Sequence, residues 1–195
     1  MASLLLPIIY LAFISLGLPD ALLGAAWPTM YPQLGAQVSW AGGVSMIISA
    51  CTILSALASD RLNERLGTGR VTAISVATTA AALLGFSFCH AFWQLCLWAI
   101  PYGLGAGSVD AALNNYVALH YKSRHMSWLH CMWGVGASLG PVIMGQALAG
   151  SGWQGGYRII GILQVVLTVV LLFSLPLWKL PQDAMGGEPF TPQHR

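Results

Sequence analysis

Apolar stretches of membrane-spanning length limit what this chain can fold into more than any other feature. Six of them recur, and each is close to the roughly 20 residues that cross a bilayer core as a helix. We predict helices at Leu4–Met30, Trp40–Ser59, Val71–Cys89, Trp93–His120, Trp128–Leu148 and Ile159–Trp178. The sequence therefore predicts an all-α membrane protein with six transmembrane helices.

The scarcity of charge supports the same interpretation. Charged residues make up 7% of the chain and hydrophobic residues 56%, whereas a soluble domain carries roughly 25% charged residues. So few charges cannot cover a surface that faces water, so we expect the lipid bilayer to surround the protein. A net charge of +2 without a basic run gives no reason to expect nucleic-acid binding.

Metal-binding and metalloprotease patterns are absent from the sequence. The four cysteines do not form a CxxC pair, and an HExxH motif does not occur. We therefore expect neither an enzyme nor a bound metal or cofactor.

The positions of the basic residues predict the orientation. Seven lie at one end of the predicted helices, namely Arg61, Arg65, Arg70, Lys122, Arg124, Lys179 and Arg195. The opposite loops hold only Arg158. Because cytoplasmic loops carry the excess of Lys and Arg, we predict an inner-membrane protein with both termini in the cytoplasm. Residues 180–195 would form a polar cytoplasmic tail or the start of a central loop.

An internal repeat divides the predicted bundle. Gly17-Leu-Pro-Asp20-Ala21 reappears as Gly107-Ser-Val-Asp110-Ala111, and Ser39-Trp40 reappears as Ser127-Trp128. We predict a three-helix unit that is used twice, at about residues 1–90 and 91–179. Because three helices are an odd number, the second copy is inverted in the membrane, as in each half of a major facilitator transporter.

Asp20 and Asp110 are the strongest candidates for a functional site. A carboxylate at the centre of a membrane helix costs roughly 2.5–3.5 kcal/mol on insertion scales. No predicted helix holds a Lys or Arg to pair with them. Such carboxylates face the interior of the bundle, where they bind substrate or a proton.

Other polar and aromatic side chains accompany these carboxylates. Helical spacing places Gly17, Asp20, Gly24 and Trp27 on one face, and Gly103, Gly107, Asp110 and Asn114 on another. We take Trp27, Asn114, Asn115 and His130 as further candidates for substrate or proton binding. Packing is the alternative for Trp27 and the asparagines, and a structural hydrogen bond is the alternative for His130. Close helix packing is the favoured role of the glycines.

The segment between the second and third predicted helices carries a family resemblance. Asp60-Arg-Leu-Asn-Glu-Arg-Leu-Gly67-Thr-Gly-Arg70 resembles the cytoplasmic signature of the major facilitator superfamily. The resemblance implies a six-helix half of that fold. It also implies that Asp60, Arg61, Arg65, Gly67 and Arg70 latch neighbouring helices together on the cytoplasmic side.

Within that superfamily the chain is most similar to the fucose permease-type sugar–proton symporters. The two acids and the helix from Gly103 to Asn114 carry this resemblance, although Asn115 stands where that family commonly has Pro. It implies proton-coupled uptake of a small sugar-like solute by alternating access, with the proton as coupling ion. The fold would need a second six-helix bundle, supplied by a C-terminal half or by a second copy.

Two other functions remain open. Gly136-x-x-x-Gly140-Pro141 followed by Gly145 partly resembles the antiporter signature of drug–proton exporters. The chain would also suit a remnant, or an accessory bundle that binds another membrane protein without transporting anything.

Overall fold

The computed structural model describes residues 4–178, and this part of the chain is helical with no strand. Its α-helices are α1 Leu5–Asp20, α2 Leu22–Gln33, α3 Trp40–Leu66, α4 Thr68–Ser87, α5 Phe92–His120, α6 Ser123–Leu148 and α7 Gly152–Ser174. A 3₁₀ turn follows at Leu175–Trp178. The prediction of an all-α protein is confirmed for these residues. The predicted tail at 180–195, with the basic residues Lys179 and Arg195, lies outside the described residues.

Five helical stretches are long and apolar enough to cross a membrane. They are Leu5–Gln33, Trp40–Leu66, Thr68–Ser87, Ser123–Leu148 and Gly152–Trp178. α5 has the required length, at 29 residues, but the polar side chains and glycines around Asp110 lower its apolar character. The membrane-spanning prediction is confirmed, whereas the sixth span remains a prediction.

The first span is bent where α1 gives way to α2 at Ala21. Proline has no N–H, so Pro19 cannot donate the helical hydrogen bond to the carbonyl of Ser15. The side-chain amide of Gln164, on α7, donates to that carbonyl instead. A neighbouring helix thus satisfies the backbone group that the proline leaves free, as membrane helices require.

The predicted loop at residues 60–70 is wrong. α3 continues to Leu66 and α4 begins at Thr68, so Gly67 alone joins the two helices. Gly67 has a φ of +81°, a backbone conformation that would be strained in a residue with a side chain. This conformation turns the chain from α3 into α4. The apolar pattern stops near Ser59, but the residues that follow are good helix formers, and the helix therefore extends beyond the apolar segment. α6 and α7 likewise begin before the predicted residues 128 and 159.

Each of the main helix contacts joins a helix from α1–α4 to a helix from α5–α7. α1 packs on α6, α3 packs on α5, and α4 packs on both α5 and α7. α4 is therefore mostly buried between its neighbours, whereas α3, α6 and α7 leave most of their surface exposed. The two apolar clusters of the core meet near Asp20, because Leu16 belongs to one cluster and Leu18 to the other.

Glycines allow the closest helix contacts. A Cβ on Gly136 would overlap the backbone carbonyl of Ile14, and a Cβ on Gly140 would overlap that of Leu18, both on α1. A Cβ on Gly107 would overlap the carbonyl of Thr52, on α3. The packing role expected for Gly17, Gly103 and Gly107 is confirmed, because each of them meets a neighbouring helix in the same way. The same expectation is wrong for Gly24, because a Cβ there would meet no atom within 4 Å.

Candidate functional site

The carboxylates of Asp20 and Asp110 line one hollow of about 400 Å³. The side on which this hollow opens to the surface is called the open side of the bundle below. α1 contributes Asp20, α5 contributes Asp110, and α6 contributes Trp133. α3 closes one wall with Thr52 and neighbouring residues. The helices thus bring together two acids that are ninety residues apart in the sequence.

Both carboxylate oxygens of Asp20 accept hydrogen bonds from other helices. The hydroxyl of Tyr102, on α5, donates to Oδ1 at 2.9 Å. The indole N–H of Trp133, on α6, donates to Oδ2 at 2.9 Å. Asp20 is also the last residue of α1, directly before the bend. The carboxylate is therefore held in position by three helices.

Asp110 has a simpler environment. The side-chain amide of Asn114, one turn further along α5, donates to Oδ1 at 3.0 Å. The Oδ1 atom of Asn114 is buried and has no hydrogen-bond partner among the residues that the structure describes. The Oδ2 atom of Asp110 has no side-chain donor among the same residues, so this oxygen is the one left available for a donor group of a ligand.

A second hollow, of about 290 Å³, also includes Asp20. Tyr102 and Tyr157 line it together with Gly24 and Ser45. Because Asp20 and Tyr102 line both hollows, the carboxylate lies between them. Ser49 also lines both hollows, so the two share three polar side chains.

Four of the six predicted binding residues do not line the hollow of Asp20 and Asp110, namely Trp27, Asn114, Asn115 and His130. Trp27 is buried in the apolar core, where its indole N–H donates to the carbonyl of Val38 at 2.8 Å. His130 packs edge-on against Phe13, with 6.1 Å between ring centroids. Asn115 lines a separate shallow hollow. Asp20 and Asp110 line one hollow, Asn114 bonds to Asp110, and His130 is close enough to Asp110 for their charges to interact.

The predicted latch residues lie at the junction of α3 and α4. Asp60, Arg61 and Arg65 are exposed in the last turns of α3, and Arg70 is exposed in the first turn of α4. Asp60 and Glu64 line the same shallow hollow as Asn115, on α5. Their role in holding neighbouring helices remains a prediction.

Tyr102 and Trp133 are site residues that the sequence did not predict. Tyr102 precedes Asp110 by eight residues, so helical periodicity could have placed it on the same face of α5. No sequence signal links Trp133 to Asp20, since only the packing of α6 on α1 brings them together. Residues 4–178 contain no group of three or more His, Cys, Asp or Glu side chains suited to a metal ion.

Comparison with protein families identifies the fold. The model of the Major Facilitator Superfamily matches residues 9–193. The chain belongs to the major facilitator superfamily. No curated protein matches the chain. Members of this superfamily are membrane transporters, and the apolar helices agree with that assignment. The hollow lined by Asp20 and Asp110 is therefore the candidate solute site of a major facilitator transporter.

Proposed function

We propose that the chain mediates proton-coupled transport of a small, sugar-like polar solute. The observation that carries this proposal is the convergence of Asp20 and Asp110 on one hollow. Carboxylates within a membrane are costly and commonly mark substrate or proton sites. The resemblance to fucose permease-type symporters, noted from the two acids, favours a sugar as the solute.

The geometry supports distinct tasks for the two acids. Both oxygens of Asp20 already accept hydrogen bonds, so this carboxylate is fixed in place. Among the described residues, Asp110 keeps its Oδ2 atom without a side-chain donor. A solute hydroxyl can donate to this oxygen. Protonation removes the negative charge of a carboxylate and gives it an O–H donor, and this change links proton binding to solute binding.

Alternating access requires a second bundle on the open side of the hollow. Ile53 and Trp133 line that side and are 61% and 39% exposed. The second bundle would cover them and convert the hollow into a closed central site. Rocking of the two bundles would then expose the solute to each side of the membrane in turn.

The contacts between helices support the inverted repeat. Ile14 contacts Gly136 where α1 meets α6, and Gly103 contacts Ile48 where α5 meets α3. Ile14 precedes Gly103 by 89 residues, and Ile48 precedes Gly136 by 88. Leu18 with Gly140 and Gly107 with Thr52 repeat the same two offsets. We infer that the two three-helix units are related by an internal two-fold axis.

Drug–proton efflux is a less favoured function for the same hollow. Its sequence basis was the glycine pattern of α6. Gly136 and Gly140 meet the backbone of α1, so close packing accounts for both glycines without an antiport mechanism. A non-transporting accessory role differs in predicting no solute movement at all.

The test is uptake by the full chain reconstituted in liposomes that contain a pH-sensitive dye. L-fucose, D-galactose and D-glucose serve as probes, each with an imposed proton gradient. We expect sugar-dependent acidification of the interior with the wild type and its loss in Asp110→Asn. Glu64→Gln is the matched control, because this exposed acid lies outside the hollow. Equal activity of wild type and Asp110→Asn would contradict the proposal.

The alternatives give different results in the same assay. Export of a lipophilic cation such as ethidium, without sugar movement, would favour drug–proton exchange. A wild-type protein that is folded and moves neither class of probe would favour an accessory bundle and overturn the proposed symport.

A further inference from the structure

Another hollow, separate from those described above, lies on the surface where the end of α4 meets the start of α5. Its volume is about 510 Å³, and it shares no lining residue with the hollow of Asp20 and Asp110. The lining is mainly aromatic and aliphatic, with Phe88, Trp93 and Leu97 each more than half exposed. This hollow therefore offers an apolar surface that the proposed transport does not use.

Gly85 allows the indole ring of Trp98 to form the bottom of the hollow. A Cβ on Gly85 would overlap the indole ring of Trp98, so the missing side chain lets that ring lie directly against α4. The ring remains 39% exposed and lines the hollow. The result is a concave aromatic surface rather than a flat helix face, at the position along a span where tryptophans meet lipid headgroups.

A single guanidinium lies beside this apolar surface. The Cζ atom of Arg158 is 5.5 Å from the ring centroid of Phe88, which is a cation–π distance. Among residues 4–178, the other Lys and Arg side chains lie at the opposite end of the bundle, where α3 meets α4 and α5 meets α6. Within the same residues, the Asp and Glu side chains lie in the central hollow or at that opposite end. No carboxylate on this part of the chain therefore neutralises Arg158.

We propose that this hollow binds an anionic phospholipid. Its acyl chain lies on Trp98 and Leu97, and its phosphate pairs with Arg158. A guanidinium matches the geometry of a phosphate with two parallel hydrogen bonds, and an aromatic surface accepts an acyl chain. The ammonium of a zwitterionic headgroup would find no carboxylate here, so a headgroup without an amine, such as that of phosphatidylglycerol, is preferred.

Native mass spectrometry of the purified full chain tests the site. The detergent is supplemented with equal amounts of phosphatidylglycerol and phosphatidylcholine of the same acyl length. We expect the wild type to retain phosphatidylglycerol preferentially. Arg158→Gln should reduce that preference roughly tenfold, because it removes the charge-assisted hydrogen bonds to the phosphate. Arg124→Gln, an exposed arginine at the opposite end, should retain it.

A second variant tests the shape of the hollow without changing its charge. Gly85→Val would displace the ring of Trp98 and should also lower phosphatidylglycerol retention, whereas Gly43→Val meets no atom within 4 Å and should not. A single symmetric size-exclusion peak establishes that each variant is folded. The proposal is overturned if Arg158→Gln retains the lipid like the wild type, if Arg124→Gln loses it equally, or if both lipids bind alike.

Discussion

Asp20 depends on two donors that come from different helices. Trp133→Phe keeps an aromatic ring but removes the N–H that bonds Oδ2 at 2.9 Å. A hydrogen bond to a charged group contributes roughly 1.5–3 kcal/mol, so we expect solute uptake to fall about tenfold or more. Trp128→Phe is the control, since this exposed tryptophan on α6 lies outside the hollow.

A double-mutant cycle separates positioning of Asp20 from general disruption of the site. If Trp133 acts through the carboxylate, Trp133→Phe should change the solute affinity far less in an Asp20→Asn background. Additive losses would instead show that Trp133 acts independently of Asp20. Solute affinity is measured by isothermal titration calorimetry in detergent, which needs neither a proton gradient nor a tryptophan reporter.

The two acids of the site could be predicted from single residues, but the groups that hold them could not. A charge in an apolar stretch is visible in the sequence, and this identified Asp20 and Asp110. The donors Tyr102 and Trp133 approach Asp20 only after α5 and α6 pack against α1. Trp27 was placed on the face of Asp20 on the assumption of one continuous helix, and the bend at Ala21 interrupts that helix.

The bend in the first span should depend on one buried amide of α7. In Gln164→Leu the carbonyl of Ser15 would lose its donor, because Pro19 cannot replace it. An unsatisfied buried carbonyl costs about 1–3 kcal/mol, so we expect the melting temperature in detergent to fall by several degrees. Gln146→Leu, an exposed amide within α6, should have little effect.

Rescue of that variant provides the stricter test. Pro19→Ala supplies a backbone N–H that can donate to Ser15, so it should restore part of the stability that Gln164→Leu loses. A melting temperature that stays low in the double variant, with Pro19→Ala alone unchanged, would show that Gln164 stabilises the protein through other contacts.

The contact between α1 and α6 leaves no room for added atoms. In Gly136→Ala the new Cβ would overlap the carbonyl of Ile14, a backbone atom that cannot turn aside. Overpacking of this kind costs about 1–3 kcal/mol. Gly134→Ala, two residues away on the same helix, meets no atom within 4 Å and should be neutral. Thermal unfolding followed by size exclusion measures both, and equal melting temperatures would contradict the packing role.

At the scale of the whole molecule, the sequence predicted the spans better than their ends. Lipid requires apolar side chains, so the membrane-crossing part of each helix is visible as an apolar stretch. Beyond the lipid that requirement ends, so the apolar pattern does not show where a helix ends. α3 therefore extends to Leu66, and α6 begins at Ser123, outside the apolar stretches. The bend at Ala21 was likewise not predicted, since it depends on Pro19 together with a donor from α7.

If a second copy of the chain supplies the second bundle, the yield of cross-linked dimer should differ between two exposed faces. In a variant without the native cysteines, Ile53→Cys places a thiol on the open side of the hollow, and Phe173→Cys places one on α7, which does not line the hollow. Phe173 is 83% exposed and Ile53 only 61%, so exposure alone favours reaction at Phe173. When the full chain is expressed alone in membranes, two copies facing each other should nevertheless give a bismaleimide-linked dimer from Ile53→Cys in much higher yield. A greater yield from Phe173→Cys would show that two copies do not share the open face.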